Sequence, residues 1–146
     1  MHAPIVERPG QAVIVFLSVC TRQRKCILAH GDVVQLLEES WRSASSWMVG
    51  RFIVMPDHVH LFCAPLEAEA RPLAQWVRYW KSSVSRRWPR AGEQPIWQLD
   101  FWDTQLRRGH HYAEKWEYVR QNPVRAGLVR RSEDWPYQGE LHELRE

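Results

Sequence analysis

His58 and His60, in the run Met55-Pro-Asp-His-Val-His-Leu-Phe62, carry the sharpest chemistry in the chain. Alternation along a strand puts two imidazoles spaced by two on one face, with Val59 and Leu61 on the other. Two neutral imidazoles side by side can chelate a divalent ion. A bare His-x-His also occurs by chance, as a pair of ordinary strand histidines. Here the flanking segments are strongly apolar, so two polar rings on one face need a partner, and both readings stay open. Asp57 reads as a turn residue, or alternatively as a group that orients a ligand. Cys63 falls on the face opposite the histidines and reads as core.

A metal pair of this kind calls for a third ligand and a reactive group. On the last predicted helix, Tyr112, Trp116 and Val119 form the buried stripe. Tyr118 and Asn122 then fall together roughly 90–130° off that stripe, at the edge of the packed face. Being four apart, the phenol and the amide point the same way. Asn122 has a competing role: Asn122-Pro123 reads as an N-cap followed by proline, opening a short turn that Gly127 closes. Glu114 and Gln121 are substitute ligands on the same helix.

These groups need elements to hold them. Residues 12–20 are continuously apolar and β-branched, the pattern of a buried central strand. A basic loop follows at residues 21–25. Asp32 is expected to cap a helix carrying Val33, Leu36, Leu37, Trp41, Ala44 and Met48, which Gly50 ends. Residues 51–55 and 59–64 read as a hairpin turning at Pro56-Asp57. Pro72 opens a second helix. Leu73, Trp76, Val77, Trp80 and Val84 form its apolar face, Arg78, Lys81, Ser82, Ser85 and Arg86 its polar face, and Pro89 stops it. A further strand is expected near residues 101–106 and the last helix over about 110–121. The order β-α-β-β-α-β-α predicts a ferredoxin-like α+β sandwich with an extra C-terminal helix carrying the tyrosine.

Composition narrows the function classes. The 146 residues are 45% hydrophobic and 25% charged, which fits one globular domain and argues against disorder. No apolar run is long enough to predict a transmembrane helix, and the first residues do not read as a secretory signal. Cys20, Cys26 and Cys63 form no CxxC, which points to reduced thiols and the cytoplasm. The net charge is +3, and only Lys25, Lys81 and Lys115 are lysines among 20 basic residues. An arginine bias suits phosphate recognition and also follows from a GC-rich gene. Of the nine tryptophans, Trp76, Trp80 and Trp88 read as core, while Trp97 and Trp102 could stack on exposed bases.

The histidine strand followed by a helix with tyrosine and then asparagine four residues on resembles the HUH single-tyrosine transposases, in which HUH is His, a bulky hydrophobic residue, His. Within that group, three stretches resemble the REP-associated tyrosine transposases of bacteria. They are Val54-Met-Pro-Asp-His-Val-His-Leu61, Tyr118-Val-Arg-Gln-Asn-Pro-Val-Arg-Ala-Gly-Leu-Val129 and Glu133-Asp-Trp-Pro136. The loop at residues 21–25 and Trp97-Gln98 with Phe101-Trp102-Asp103 also fit, so the resemblance spans residues 12–137 of a single domain, 1–146.

The resemblance implies metal-dependent nicking and rejoining of single-stranded DNA at hairpin-forming palindromes, with Mg²⁺ or Mn²⁺ and a 5′-phosphotyrosine intermediate. By position, His58, His60 and Asn122 would be metal ligands and Tyr118 the nucleophile. DNA contacts would come from Arg22, Arg24, Lys25, Arg78, Lys81, Arg86, Trp97, Trp102, Arg107 and Arg125. Two departures bear on DNA contacts: Leu99 replaces a usual basic residue, and Tyr137-Gln-Gly-Glu replaces Trp-Ser-Ser-Tyr. A monomer is expected, as in the REP-associated group, although the wider group forms dimers that share active sites. The competing readings are a non-catalytic ferredoxin-like nucleic-acid-binding module and a water-using metal phosphohydrolase.

Overall fold

A computed structural model describes residues 13–106 and 112–145. The apolar run near the N-terminus becomes β1 (Val15–Cys20), followed by α1 (Gly31–Ser43), β2 (Trp47–Val54), β3 (His58–Pro65), α2 (Leu73–Arg86) and β4 (Trp102–Gln105). After these come α3 (Tyr112–Val119), α4 (Asn122–Arg125) and β5 (Gln138–Glu140). The sheet runs β4-β1-β3-β2-β5, and every pairing is antiparallel. The expected β-α-β-β-α-β sandwich is therefore what forms, with β3 in the middle and β5 added beside β2.

Strand alternation gives the sheet two unlike faces. Val15, Leu17, Val19, Phe52, Val59, Leu61 and Cys63 pack with the apolar stripes of α1 and α2 in the larger core. Ile14, Ile53, Phe62 and Ala64 pack with Tyr112, Trp116 and Val119 of α3 in a second cluster. By parity along β3, His58 and His60 share the face of Phe62, so they lie on the α3 side.

Several boundaries differ from the pattern. The N-cap of α1 is His30, while Asp32 sits in the first turn and accepts from Arg90. Met48 and Gly50 belong to β2, because α1 already stops at Ser43. Gly50 marks a β-bulge: the register of β2 against β3 shifts between Val49 and Phe52. A Cβ there would stand 2.6 Å from the Leu144 side chain and 2.7 Å from the Tyr112 hydroxyl. The missing side chain is what lets the start of α3 dock, and the Tyr112 hydroxyl accepts from the Arg51 amide at 2.7 Å. Pro72 is the N-cap of α2, not its first residue, and the helix ends at Arg86 ahead of Pro89. Lys81, expected on the polar face, is buried, and its ammonium donates to the Gln98 carbonyl at 2.7 Å. Burial pushes its pKa down. No alternation announces β5, a three-residue strand of Gln, Gly and Glu. No helix among the described residues is long and apolar enough to cross a membrane.

Candidate metal and nucleophile site

The histidine pair sits at the start of the central strand, where β3 leaves the Pro56-Asp57 turn. In the antiparallel register Ser18 faces His60 and Cys20 faces His58. The two imidazole centroids are 4.6 Å apart, edge to face. Each ring is fixed through Nδ1: His58 by Asp57 Oδ1 at 2.7 Å, His60 by Ser18 Oγ at 2.7 Å. Nδ1–H is the donor form that suits a carboxylate, and the hydroxyl can accept likewise, so the Nε2 lone pairs are the ones left for a ligand. Phe16 stacks on His60 with centroids 5.2 Å apart, completing the ring's seat.

Electrostatics keep His60 a lone-pair donor. Burial, then the charges of His58, Lys115, Arg125 and Arg24, push its pKa down to about 3. A histidine neutral at every physiological pH is a competent ligand without first losing a proton. Asp57 is the carboxylate beside the pair. Burial works to raise its pKa, but hydrogen bonds from Arg24 and His58 outweigh this and hold it below the usual range.

The loop after β1 delivers Arg24. Gln23 and Arg24 both take positive φ, 58° and 54°, a region that costs side-chain-bearing residues conformational energy. Surrounding bonds impose it. Thr21 is fully buried, and its hydroxyl donates to the Lys25 and Asp57 carbonyls. Lys25 donates to the Glu93 and Pro95 carbonyls. Held in this way, Arg24 Nε reaches Asp57 Oδ2 at 2.8 Å, giving the line Arg24–Asp57–His58.

Tyr118 approaches from α3. It is 63% exposed, whereas Tyr112, Trp116 and Val119 are buried, as the helical phasing requires. Two cations lie near its ring, Arg125 Cζ at 4.2 Å and Lys115 Nζ at 5.9 Å from the centroid. Lys115 also lies 4.9 Å over Phe16, the ring stacked on His60. Contacts thus run continuously from Tyr118 through Lys115 and Phe16 to His60.

Asn122 is the first residue of α4, and the N-cap is Gln121, so Asn122 does not cap. Its Oδ1 accepts from Arg125, the residue that covers Tyr118. Gly127, at φ 74°, closes this turn as expected. Gln121 is turned toward Ser132, and Glu114 is exposed. Among the described residues no three His, Cys, Asp or Glu side chains could together hold a metal. Neither Glu114 nor Asp57 therefore closes a site with the two imidazoles, and an amide, phosphate or water oxygen would have to.

The remaining expected contact residues are scattered. Arg22 is exposed in the turn after β1, next to Arg24, while Lys25 is committed to the two loop carbonyls. Arg78 and Arg86 are exposed on α2, which covers the sheet face opposite the histidines. Trp97 is buried at 8% exposure against Trp80 and offers no open face for a base. Trp102 is 57% exposed. Arg107 lies outside the described residues. Phe16, Ser18 and Lys115 join the site only in the folded protein. Ser18 carried a usable signal, as a lone hydroxyl inside an otherwise apolar strand.

No family model matches the chain. It is 30% identical over 95 residues to a Haemophilus influenzae protein provisionally named a REP-associated tyrosine transposase, covering 58% of this chain and 53% of that protein. It is 27% identical over 90 residues to the REP-associated tyrosine transposase of Escherichia coli K12, covering 61% of this chain and 52% of that protein. The chain thus spans about half the length of these curated relatives. Among solved structures, a REP-associated tyrosine transposase bound to a REP hairpin superposes with a TM-score of 0.72 at 23% identity, over 91% of this chain and 81% of that one. The resemblance carried by the histidine and tyrosine motifs holds at both levels: the chain is similar in sequence to REP-associated tyrosine transposases and shares their fold.

Proposed function

We propose that the chain is a single-strand DNA transesterase of the transposase type, acting at hairpin-forming palindromes. The observation that carries the reading is the run of contacts joining an exposed tyrosine, with two cations near its ring, to a pair of imidazoles whose Nε2 atoms are free. The named hairpin complex of the structural relative supports a hairpin substrate for this chain.

His58 and His60 would hold a divalent ion through Nε2, with Asn122 Oδ1 as the third ligand. Bound there, Mg²⁺ or Mn²⁺ supplies Lewis-acid polarisation of the scissile phosphate. The ligand set is neutral, so it leaves the positive charge of the site undiminished for a phosphodiester. Lys115 and Arg125 attract and orient the phosphate beside Tyr118. The Tyr118 oxygen attacks phosphorus, the bond from phosphorus to the 3′ oxygen breaks, and the 5′ phosphate stays on the tyrosine. The phenol's proton ends on the departing 3′ oxygen. A phosphotyrosine diester keeps the bond energy, so attack by a 3′ hydroxyl rejoins the strand without an external energy source. The contacts from Tyr118 through Lys115 and Phe16 to His60 all lie within one chain, which supports the reading that a monomer functions.

A covalent-trapping gel tests the reading. Labelled single strands from both flanks of the gene are mixed with protein and Mn²⁺, then denatured. An adduct that requires both the metal and Tyr118 is expected, absent with EDTA and in Tyr118→Phe. Cleavage that survives Tyr118→Phe would replace the mechanism with a water nucleophile. Tight hairpin binding without adduct by metal-loaded protein would make the chain a binding module.

A further inference from the structure

We propose that Trp102 is a stacking platform for an unpaired nucleobase held beside the histidines; the inference rests on the single-strand reading above and adds a base subsite to it. The chain has nine tryptophans. Eight are buried, none more than 8% exposed, and Trp102 alone stands out at 57%. Trp102 belongs to neither hydrophobic cluster, although its neighbour Phe101 is buried in the larger one. Packing therefore accounts for every other indole and leaves this one without a structural task.

Its position is specific. In the antiparallel register Trp102 faces Ser18, and Ser18 faces His60. Directly opposed residues project on the same side of a sheet, so indole, hydroxyl and imidazole form one row on the α3 face. With strands about 4.8 Å apart, the Trp102 and His60 backbones are separated by about 10 Å, a span within reach of a few nucleotides. The side chain between them is the small Ser18, turned toward His60 Nδ1, so no bulky group in that row separates the two rings. A strand whose phosphate lies among the histidines, Lys115 and Arg125 would carry a nearby base to the indole.

Every base has a π-face, so such a platform favours unpaired over paired DNA without reading sequence. A duplex has already spent its base faces on its own stacking. Trp102 thus discriminates strand state, while the cations supply backbone affinity.

The test uses single strands from the gene's flanks, each with one 2-aminopurine at a successive position, titrated in EDTA so that no cleavage intervenes. Wild type should quench the probe at one or a few adjacent positions. Trp102→Ala should remove that quench and weaken single-strand binding by about 5- to 150-fold, the range for loss of one stacked base. Duplex affinity should stay unchanged, and Trp102→Phe should keep most of the quench. Tyr118→Phe should quench like wild type. Unaltered quenching and binding in Trp102→Ala would overturn the inference, as would equal losses for single strand and duplex. A Trp102-dependent quench without a metal-dependent adduct would refute the catalytic reading and leave the base subsite standing. An adduct with Trp102-independent binding would do the reverse.

Discussion

Ser18→Ala separates an orienting hydroxyl from bulk packing with little change in volume. Ser18 Oγ holds His60 Nδ1 at 2.7 Å, and His60 is deeply enough buried that its pKa falls to about 3. Removing the hydroxyl leaves the ring N–H unpaired in a desolvated place, a loss of about 1–3 kcal/mol in folding stability. It also frees the ring to rotate or change tautomer, so Nε2 is no longer presented by default. Loss of an orienting partner costs about 10- to 100-fold in metal affinity in comparable sites. The assay is Mn²⁺ titration by calorimetry on wild type and variant, with urea unfolding of both apo proteins. The expected result is both losses together, with Ser18→Thr restoring much of the affinity because it keeps a hydroxyl. Unchanged Mn²⁺ affinity in a protein destabilised as calculated would refute the argument: the bond would then serve folding alone, and His60 would not need orienting.

Four further outcomes follow from the geometry. Burial raises the Tyr112 pKa from the ordinary phenol value of about 10 to about 12, so the unfolded chain loses the proton first; stability should be full below about pH 10 and fall between about 10 and 12, and Tyr112→Phe should remove part of that alkaline loss in urea titrations. Gly50→Ala should destabilise by about 1–3 kcal/mol in urea unfolding, since the new methyl meets Leu144 and the Tyr112 hydroxyl. Trp97→Ala should cost about 3–5 kcal/mol by the same measurement, whereas Trp102→Ala should leave the urea midpoint close to wild type. Replacing Arg78 and Arg86 by Ala should leave the salt dependence of strand binding unchanged, while Arg125→Ala should lower its log–log slope by about 1.

Legibility followed the periodicity. β1, the hairpin, α2 and the buried stripe of α3 were readable because each repeats apolar residues at the period of its own structure. The same periodicity put both histidines on one face and Tyr118 off the α3 stripe. Gly50 follows a helical pattern and so looks like a C-cap, but its reason lies in Tyr112, far along the chain. The charge of Lys81 points to solvent although its helical phase does not, and the approach of the Gln98 carbonyl explains its burial. β5 and the positive-φ turn at Gln23 and Arg24 left no local sign, since one is fixed by pairing with β2 and the other by bonds to Thr21 and Asp57. Lys115 leaves no local sign for the same reason: its contacts depend on which sheet face α3 covers.

That choice of face organises the candidate site. α1 and α2 seal one side of the sheet almost completely, leaving no room there for a polar pair on β3. The other side is covered by α3, an eight-residue helix, over the end of the sheet that carries Ile14, Phe62 and Ala64. A helix that short gains little stability by itself, so its placement depends on Tyr112, Trp116 and Val119. The histidines lie on the same sheet face at the Pro56-Asp57 end of the central strand, and Tyr118 lies on the exposed side of the helix. The arrangement places two imidazoles on the central strand, paired on both sides, and the phenol on an element anchored by three side chains. On the proposed mechanism, substitutions at Gly50 or Tyr112, though remote from the imidazoles, should lower the yield of the Tyr118-dependent adduct, because Tyr112 anchors the start of the helix that carries the phenol.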